Sequence, residues 1–157
     1  MPRAADLLAR RLREAGCRHA FGMPGGEVLT IVDALERAGI AFHLVAHENA
    51  GGFIAEGVHH AQAIEGTYAP AILVGTIGPG IMNAVNTVCN AAQDRVPLIV
   101  ISGCVDADEA LTYNHQVMDH EAVLAPVCKA TFRLTAKGAG IIADRAVEIG
   151  RASCRER

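Results

Sequence analysis

Ile40-Ala41-Phe42-His43-Leu44-Val45-Ala46-His47-Glu48-Asn49-Ala50-Gly51-Gly52 passes from a strand pattern to a helix pattern within thirteen residues. Its first seven residues form an apolar run of strand length, and from Glu48 onward a Gly- and Ala-rich helix is expected over roughly 48–64. Similar switches occur on both sides. An amphipathic helix carrying Leu7, Leu8, Leu12 and Ala15 on one face ends at Gly16. A short strand over 17–22 then runs into Pro24-Gly25-Gly26, and a helix over 27–38 is closed by Gly39. Ala71-Ile72-Leu73-Val74 is apolar without alternation, as in a strand buried on both faces. Gly78-Pro79-Gly80 opens a helix carrying Val85, Val88, Cys89 and Ala92, and 97–103 reads as the next strand. A polar segment over 106–120 follows, long enough to be functional or mobile. A last strand is expected over 127–134 and a last helix over 139–148. Strands alternating with helices at this spacing predict one α/β domain: a three-layer, doubly wound and mainly parallel sheet with helices on both faces.

Composition narrows the function. The 157 residues are 51% hydrophobic and 20% charged, which excludes a disordered chain. Aromatic residues are 4% with no Trp, and the net charge is −3, so neither a stacking platform nor a basic footprint for nucleic acid or an anionic membrane is present. No apolar run reaches the length of a membrane span, and the amino terminus lacks the apolar core of a signal peptide. A cytoplasmic location is therefore expected. The five cysteines, odd in number and without CxxC spacing, read as reduced and mostly buried thiols.

Ligands of open parallel sheets bind outside the carboxyl ends of the strands. Pro24, Gly25 and Gly26, then Glu48, then Thr76-Ile77-Gly78-Pro79-Gly80-Ile81-Met82-Asn83, and finally the segment after Gly103 all fall at that edge. Glu48 follows an apolar strand and precedes residues that offer neither a basic partner nor bulk, so its carboxylate is expected to be partly desolvated. Taken alone, it would be an ordinary first-turn helix Glu favoured by the macrodipole. The glycines would equally serve as turn residues, or let backbone approach a flat ligand. Gly78-Pro79-Gly80 fits neither the dinucleotide fingerprint nor the P-loop, and His47-Glu48-Asn49-Ala50-Gly51 lacks the second His of the zinc motif. The seven histidines, including His59, His60, His115 and His120, read as surface or packing residues, and no metal site is expected in this chain.

Taken together, His47-Glu48, Pro24-Gly25-Gly26, the complete Thr76-x-Gly78-Pro79-Gly80-x-x-Asn83 unit and Asp94-Arg95-Val96-Pro97-Leu98-Ile99 resemble the pyrimidine-binding domain of thiamine-diphosphate enzymes. Among those enzymes the sequence is most similar to the acetolactate synthase group. The resemblance implies that Glu48 is catalytic. In the family the matching Glu hydrogen-bonds N1′ of the aminopyrimidine and favours the tautomer that removes the thiazolium C2 proton. The cofactor then attacks a 2-oxo acid and serves as an electron sink for decarboxylation. Pro24, Gly25, Gly26, Thr76, Gly78, Pro79, Gly80 and Asn83 would contact the cofactor alongside Glu48. Gln116 matches the family's glutamine-containing loop on the substrate side, although Phe-Gln-Glu is usual there and this chain has His115-Gln116-Val117.

The resemblance also implies what lies outside the chain. Mg²⁺ and the diphosphate would be held by a pyrophosphate-binding domain of a second subunit, in a homodimer or homotetramer. FAD would be carried by a central domain, as in many acetolactate synthases. The expected domain covers 1–148, as an amino-terminal fragment of a larger enzyme that ligates the two-carbon unit of pyruvate to a 2-oxo acid. Residues 149–157 resemble the translation of a sequencing adapter and are expected to be a non-native tail; the alternative is a genuine basic helix end. Two other readings stand beside the carboligase: the pyrimidine-binding subunit of a split 2-oxo acid decarboxylase, and a non-catalytic α/β ligand-binding module.

Overall fold

The computed structural model describes residues 3–106, 111–112 and 114–155. Parts of the polar segment (107–110 and 113) and the last two residues of the expected tail lie outside them. Four strands, β1 (His19–Gly22), β2 (Ala41–Leu44), β3 (Ala71–Gly75) and β4 (Leu98–Ser102), form one sheet in the order β2-β1-β3-β4. Every ladder is parallel, with Phe21 level with both His43 and Leu73.

The pleat sends alternate residues to opposite layers. Ile72 and Val74 pack with α1 (Ala4–Glu14), α2 (Leu29–Arg37) and α7 (Ala139–Arg155), through Leu8, Leu12, Ile31, Leu35, Ala143 and Val147. Leu73 points to the other side, with Ile81, Ala84 and Val88 of the region spanning α4 (Pro79–Met82) and α5 (Val85–Asp94). Phe21 and Ala71 meet Ala55 of α3 (Glu48–Ile64) on that face. The expected three-layer α/β architecture is thus present, and all five residues of β3 are buried, as their unbroken apolar run implied.

Local chemistry sets the element ends. Asp6 accepts the Arg3 N–H at 3.2 Å at the start of α1, and Gly16, at φ +99, turns the chain after it. A Cβ on Gly22 would collide with the Val74 carbonyl, so only Gly lets β1 approach β3 at the very edge where the loops gather.

Three expectations are corrected. No strand forms over 127–134. This segment and β4 both line one cavity of about 720 Å³. Its polar groups are taken by other partners: Thr131 donates to Glu121 Oε1 at 2.7 Å and Arg133 to the Val105 carbonyl at 2.6 Å. Its first backbone N–H groups are also taken, Val127 and Cys128 both donating to the Leu124 carbonyl at 3.0 and 2.9 Å. Second, a short helix, α6 (His120–Leu124), follows the polar segment where no element was expected, capped by Asp119 accepting the Ala122 N–H at 2.9 Å. Third, the thiols are less buried than expected: Cys17 is buried, Cys89 and Cys128 are half-buried and Cys104 is exposed. Burial pushes the Cys17 thiol up to about 12. The helix α7 runs without a break across position 148.

Candidate active site

Glu48 is the first residue of α3, directly after the β2 connection. His47 caps that helix, its Nδ1 accepting the Asn49 N–H at 3.2 Å. Glu48 is only 4% exposed, yet it has no cationic partner among the described residues. Its neighbour is an amide: Asn83 Nδ2 donates to Glu48 Oε2 at 3.1 Å, while Oε1 accepts no hydrogen bond among the described residues. The orphan N–H groups and dipole of the α3 amino terminus favour negative charge at this position.

Asn83 is held by the short helix α4. Pro79 occupies its first turn, where a missing N–H costs nothing, and Gly78 adopts φ +64 before it. A Cβ on Gly80 would collide with Thr76 Oγ1 and stand 3.3 Å from Glu48 Oε1. A Cβ on Gly25 would collide with Thr76 Cγ2. Thr76 is therefore sandwiched between the loop after β1 and the start of α4, and Ser102 Oγ donates to its carbonyl at 3.3 Å from the end of β4. Gly25, Thr76, Gly80, Asn83 and Glu48 share one cradle. Pro24 and Gly26 are exposed in the turn beside it, and a Cβ on Gly26 would meet nothing within 4 Å.

Gln116 reaches this group by its main chain. Its Cβ lies 2.8 Å from where a Cβ of Gly78 would be, and its carbonyl is closer still. Gln116 itself sits in the left-handed region at φ 59, and it is exposed. Two residues near the cradle carried no site expectation. The Gly78 N–H donates to His120 Nε2 at 2.9 Å, a contact across 42 positions of sequence that no motif announces. Burial holds the His120 imidazole below its usual range, opposed by the Asp119 charge. Glu27 Oε2 stands 3.3 Å from where a Cβ of Gly25 would be, placing a second carboxylate at the rim. A Glu straight after Pro-Gly-Gly was the available signal.

The remaining histidines take structural places. His59 is buried and donates from Nδ1 to the Ala69 carbonyl at 3.3 Å, while His60 is exposed. His19 Nδ1 and His43 Nε2 are 3.1 Å apart across β1 and β2. Among the described residues no group of three or more His, Cys, Asp or Glu could hold a metal ion. No helix among them is long and apolar enough to cross a membrane.

A floor of backbone left open by glycines, with an unbonded carboxylate oxygen of Glu48 at its end, fits a flat heterocycle that presents a ring N–H. These features define an α/β domain with an open cradle at the carboxyl edge of a parallel sheet. The family model described as "Thiamine pyrophosphate enzyme, N-terminal TPP binding domain" matches residues 2–123, and the chain belongs to that family. It is similar to the acetolactate synthase isozyme 3 large subunit of Escherichia coli, at 37% identity over 130 residues, 82% of this chain and 22% of that protein. The acetolactate synthase large subunit of Buchnera aphidicola is 36% identical over 130 residues, with the same coverage of 82% and 22%. The acetolactate synthase large subunit IlvG of Mycobacterium tuberculosis is 32% identical over 146 residues, 92% of this chain and 26% of its own length. The chain thus spans about a quarter of the length of the curated relatives it matches.

Proposed function

We propose that the chain supplies the aminopyrimidine half of a thiamine-diphosphate active site in an acetolactate synthase-like enzyme. The observation that carries this is the buried Glu48 carboxylate, fixed at Oε2 by Asn83 and open at Oε1 toward the Gly25–Thr76–Gly80 cradle. Thiamine diphosphate, when bound, supplies an electron sink for decarboxylating 2-oxo acids and transferring the remaining carbon unit. Glu48 accepts the hydrogen bond of the pyrimidine ring nitrogen and holds the proton shared there. Asn83 keeps the carboxylate turned so that Oε1, not Oε2, faces the ligand. Gly25 and Gly80 keep the ring's approach clear, and Thr76 forms the wall between them. Gly26, Pro24, Gly78 and Pro79 shape the two loops, and the Gln116 segment closes the substrate side.

On this reading, the full-length enzyme decarboxylates pyruvate and ligates the two-carbon unit to a second 2-oxo acid. It works as a homodimer or homotetramer, with Mg²⁺ and the diphosphate held by a pyrophosphate-binding domain of another subunit and FAD on a central domain. A thermal-shift measurement on the full-length enzyme tests the ligand class. Thiamine diphosphate with Mg²⁺ raises the Tm, whereas NAD and ATP leave it unchanged. Glu48→Gln should keep the fold and lower the carboligation rate by a factor on the order of a hundred or more. Activity surviving that substitution would remove Glu48 from the role.

A further inference from the structure

His120 opens α6 at the end of the 114–120 segment that resembles the family's glutamine-containing loop, and it is hydrogen-bonded to the centre of the ligand loop. The Gly78 N–H donates to its Nε2 at 2.9 Å. That N–H precedes Pro79 and the first turn of α4, at a residue with φ +64, so its direction sets how the 76–80 loop enters the helix. On its other side Gly78 is pressed against the Gln116 main chain, so closely that a Cβ would overlap it. One imidazole thus fixes the joint between the loop that lines the cradle and the segment that closes the substrate side. The geometry also fixes the ring's state. An N–H donor requires a bare Nε2, so His120 is neutral and carries its proton on Nδ1.

We infer that His120 is a positioning residue, clamping Gly78 so that the Thr76–Gly80 cradle and the Gln116 segment keep the spacing the ligand needs. This rests on reading that cradle as the aminopyrimidine site. The side chain does not touch the reacting atoms; it acts through the Gly78 N–H. Asp119, whose own carboxylate caps α6, is the charged group whose field reaches the ring, and Glu121 beside it is bonded to Thr131. The facing 76–80 loop contains no titratable residue. Protonation would give Nε2 its own hydrogen and oppose it to the Gly78 N–H, so the clamp holds at neutral pH and opens as pH falls below about 6.5, the ordinary imidazole value.

NMR on the 157-residue chain tests this, with thiamine diphosphate added to millimolar concentration so that weak binding registers. In the wild type the His120 ring shows the Nδ1–H tautomer, the Gly78 amide is protected from exchange, and both signals change together on acidification. His120→Leu lowers Gly78 protection roughly five- to tenfold and weakens the thiamine diphosphate shifts at Gly80 and Glu48. His120→Gln, whose Oε1 can accept the same bond, restores both and abolishes their dependence on pH. A wild-type ring with its proton on Nε2 would overturn the clamp outright. A Leu variant with Gly78 as protected and ligand shifts as large as the wild type would overturn it equally. If the wild type itself shows no shifts at Gly80 or Glu48 while the Gly78 clamp behaves as described, the cofactor reading has failed, and the positioning role falls with it.

Discussion

Glu48 is a carboxylate that the fold keeps from pairing. A buried acid normally finds a cation or several donors, and among the described residues a single amide reaches one of its two oxygens. That half-satisfied state is tolerable only where something else completes it, and the open oxygen faces the clearance made by Gly80. Gly80→Ala puts a methyl against Thr76 Oγ1 and near Glu48 Oε1. The expected result is a loss of about 1–3 kcal/mol of stability from overpacking, and a larger loss of thiamine diphosphate response than the stability change accounts for. Gly57→Ala, on the exposed face of α3 with nothing within 4 Å of the new methyl, is the matched control. It should keep or gain up to about 1 kcal/mol of stability in a urea titration, with an unchanged ligand response. Equal effects of the two substitutions would mean that the cradle has been drawn around the wrong glycine. Gly25, Glu48, Thr76, Gly80 and Asn83 were legible as a group because each lies just past a strand end, and strand ends are readable from apolar runs. The His120 contact was not, since a hydrogen bond between residues 42 positions apart leaves no periodic or compositional trace.

The helices α3 and α5 carry a polar seam that no single-helix reading reveals. Below the Glu48–Asn83 pair, Asn49 Oδ1 accepts the Thr87 N–H at 3.0 Å and the Asn86 amide at 3.3 Å, and the Asn90 amide donates to both oxygens of buried Glu56. The seam fixes how α3 is rotated, and therefore where Glu48 points. One group in it is unsatisfied. Thr87 is fully buried, its side chain occupies the space a Cβ on Gly52 would need, and its Oγ1 has no partner among the described residues. Thr87→Val keeps the shape and removes the stranded hydroxyl, so stability should rise by about 1 kcal/mol, read as a higher urea midpoint at unchanged m. A lower midpoint would show that the hydroxyl is bonded after all. Sequence patterning located α1, α3 and β3 because their burial is one-sided or complete. It misread 127–134, whose apolar alternation faces a cavity rather than a neighbouring strand. It also passed over α6, which is too short to show a period and is held by its Asp119 cap.

Across the molecule, three histidines are kept neutral by burial: His19, His59 and His120 all lie below the ordinary value of 6.5. The unfolded chain therefore takes up protons at higher pH than the folded one. Their contribution to stability is complete above about pH 6.5 and is lost as pH falls below it through the folded values. The urea midpoint should drop between about pH 7.5 and about pH 5.5, and a flat or rising profile would contradict the burial of these rings. The charge pattern of the site leads to a separate expectation about ligand parts. The cradle offers glycine backbone, one threonine, one amide and one carboxylate, all suited to a neutral ring with a protonated nitrogen. No cluster among the described residues is suited to a metal ion, and the carboxylates Glu48 and Glu27 would repel a diphosphate rather than bind it. If the chain holds only the pyrimidine end, its affinity for thiamine diphosphate should be weak and indifferent to Mg²⁺, and thiamine without the diphosphate should bind about as well. Isothermal titration of the 157-residue chain with each compound, with and without Mg²⁺, separates the cases. A strong preference for the diphosphate, or a marked gain with Mg²⁺, would locate the anion site within this domain and remove the need for a partner domain to supply it.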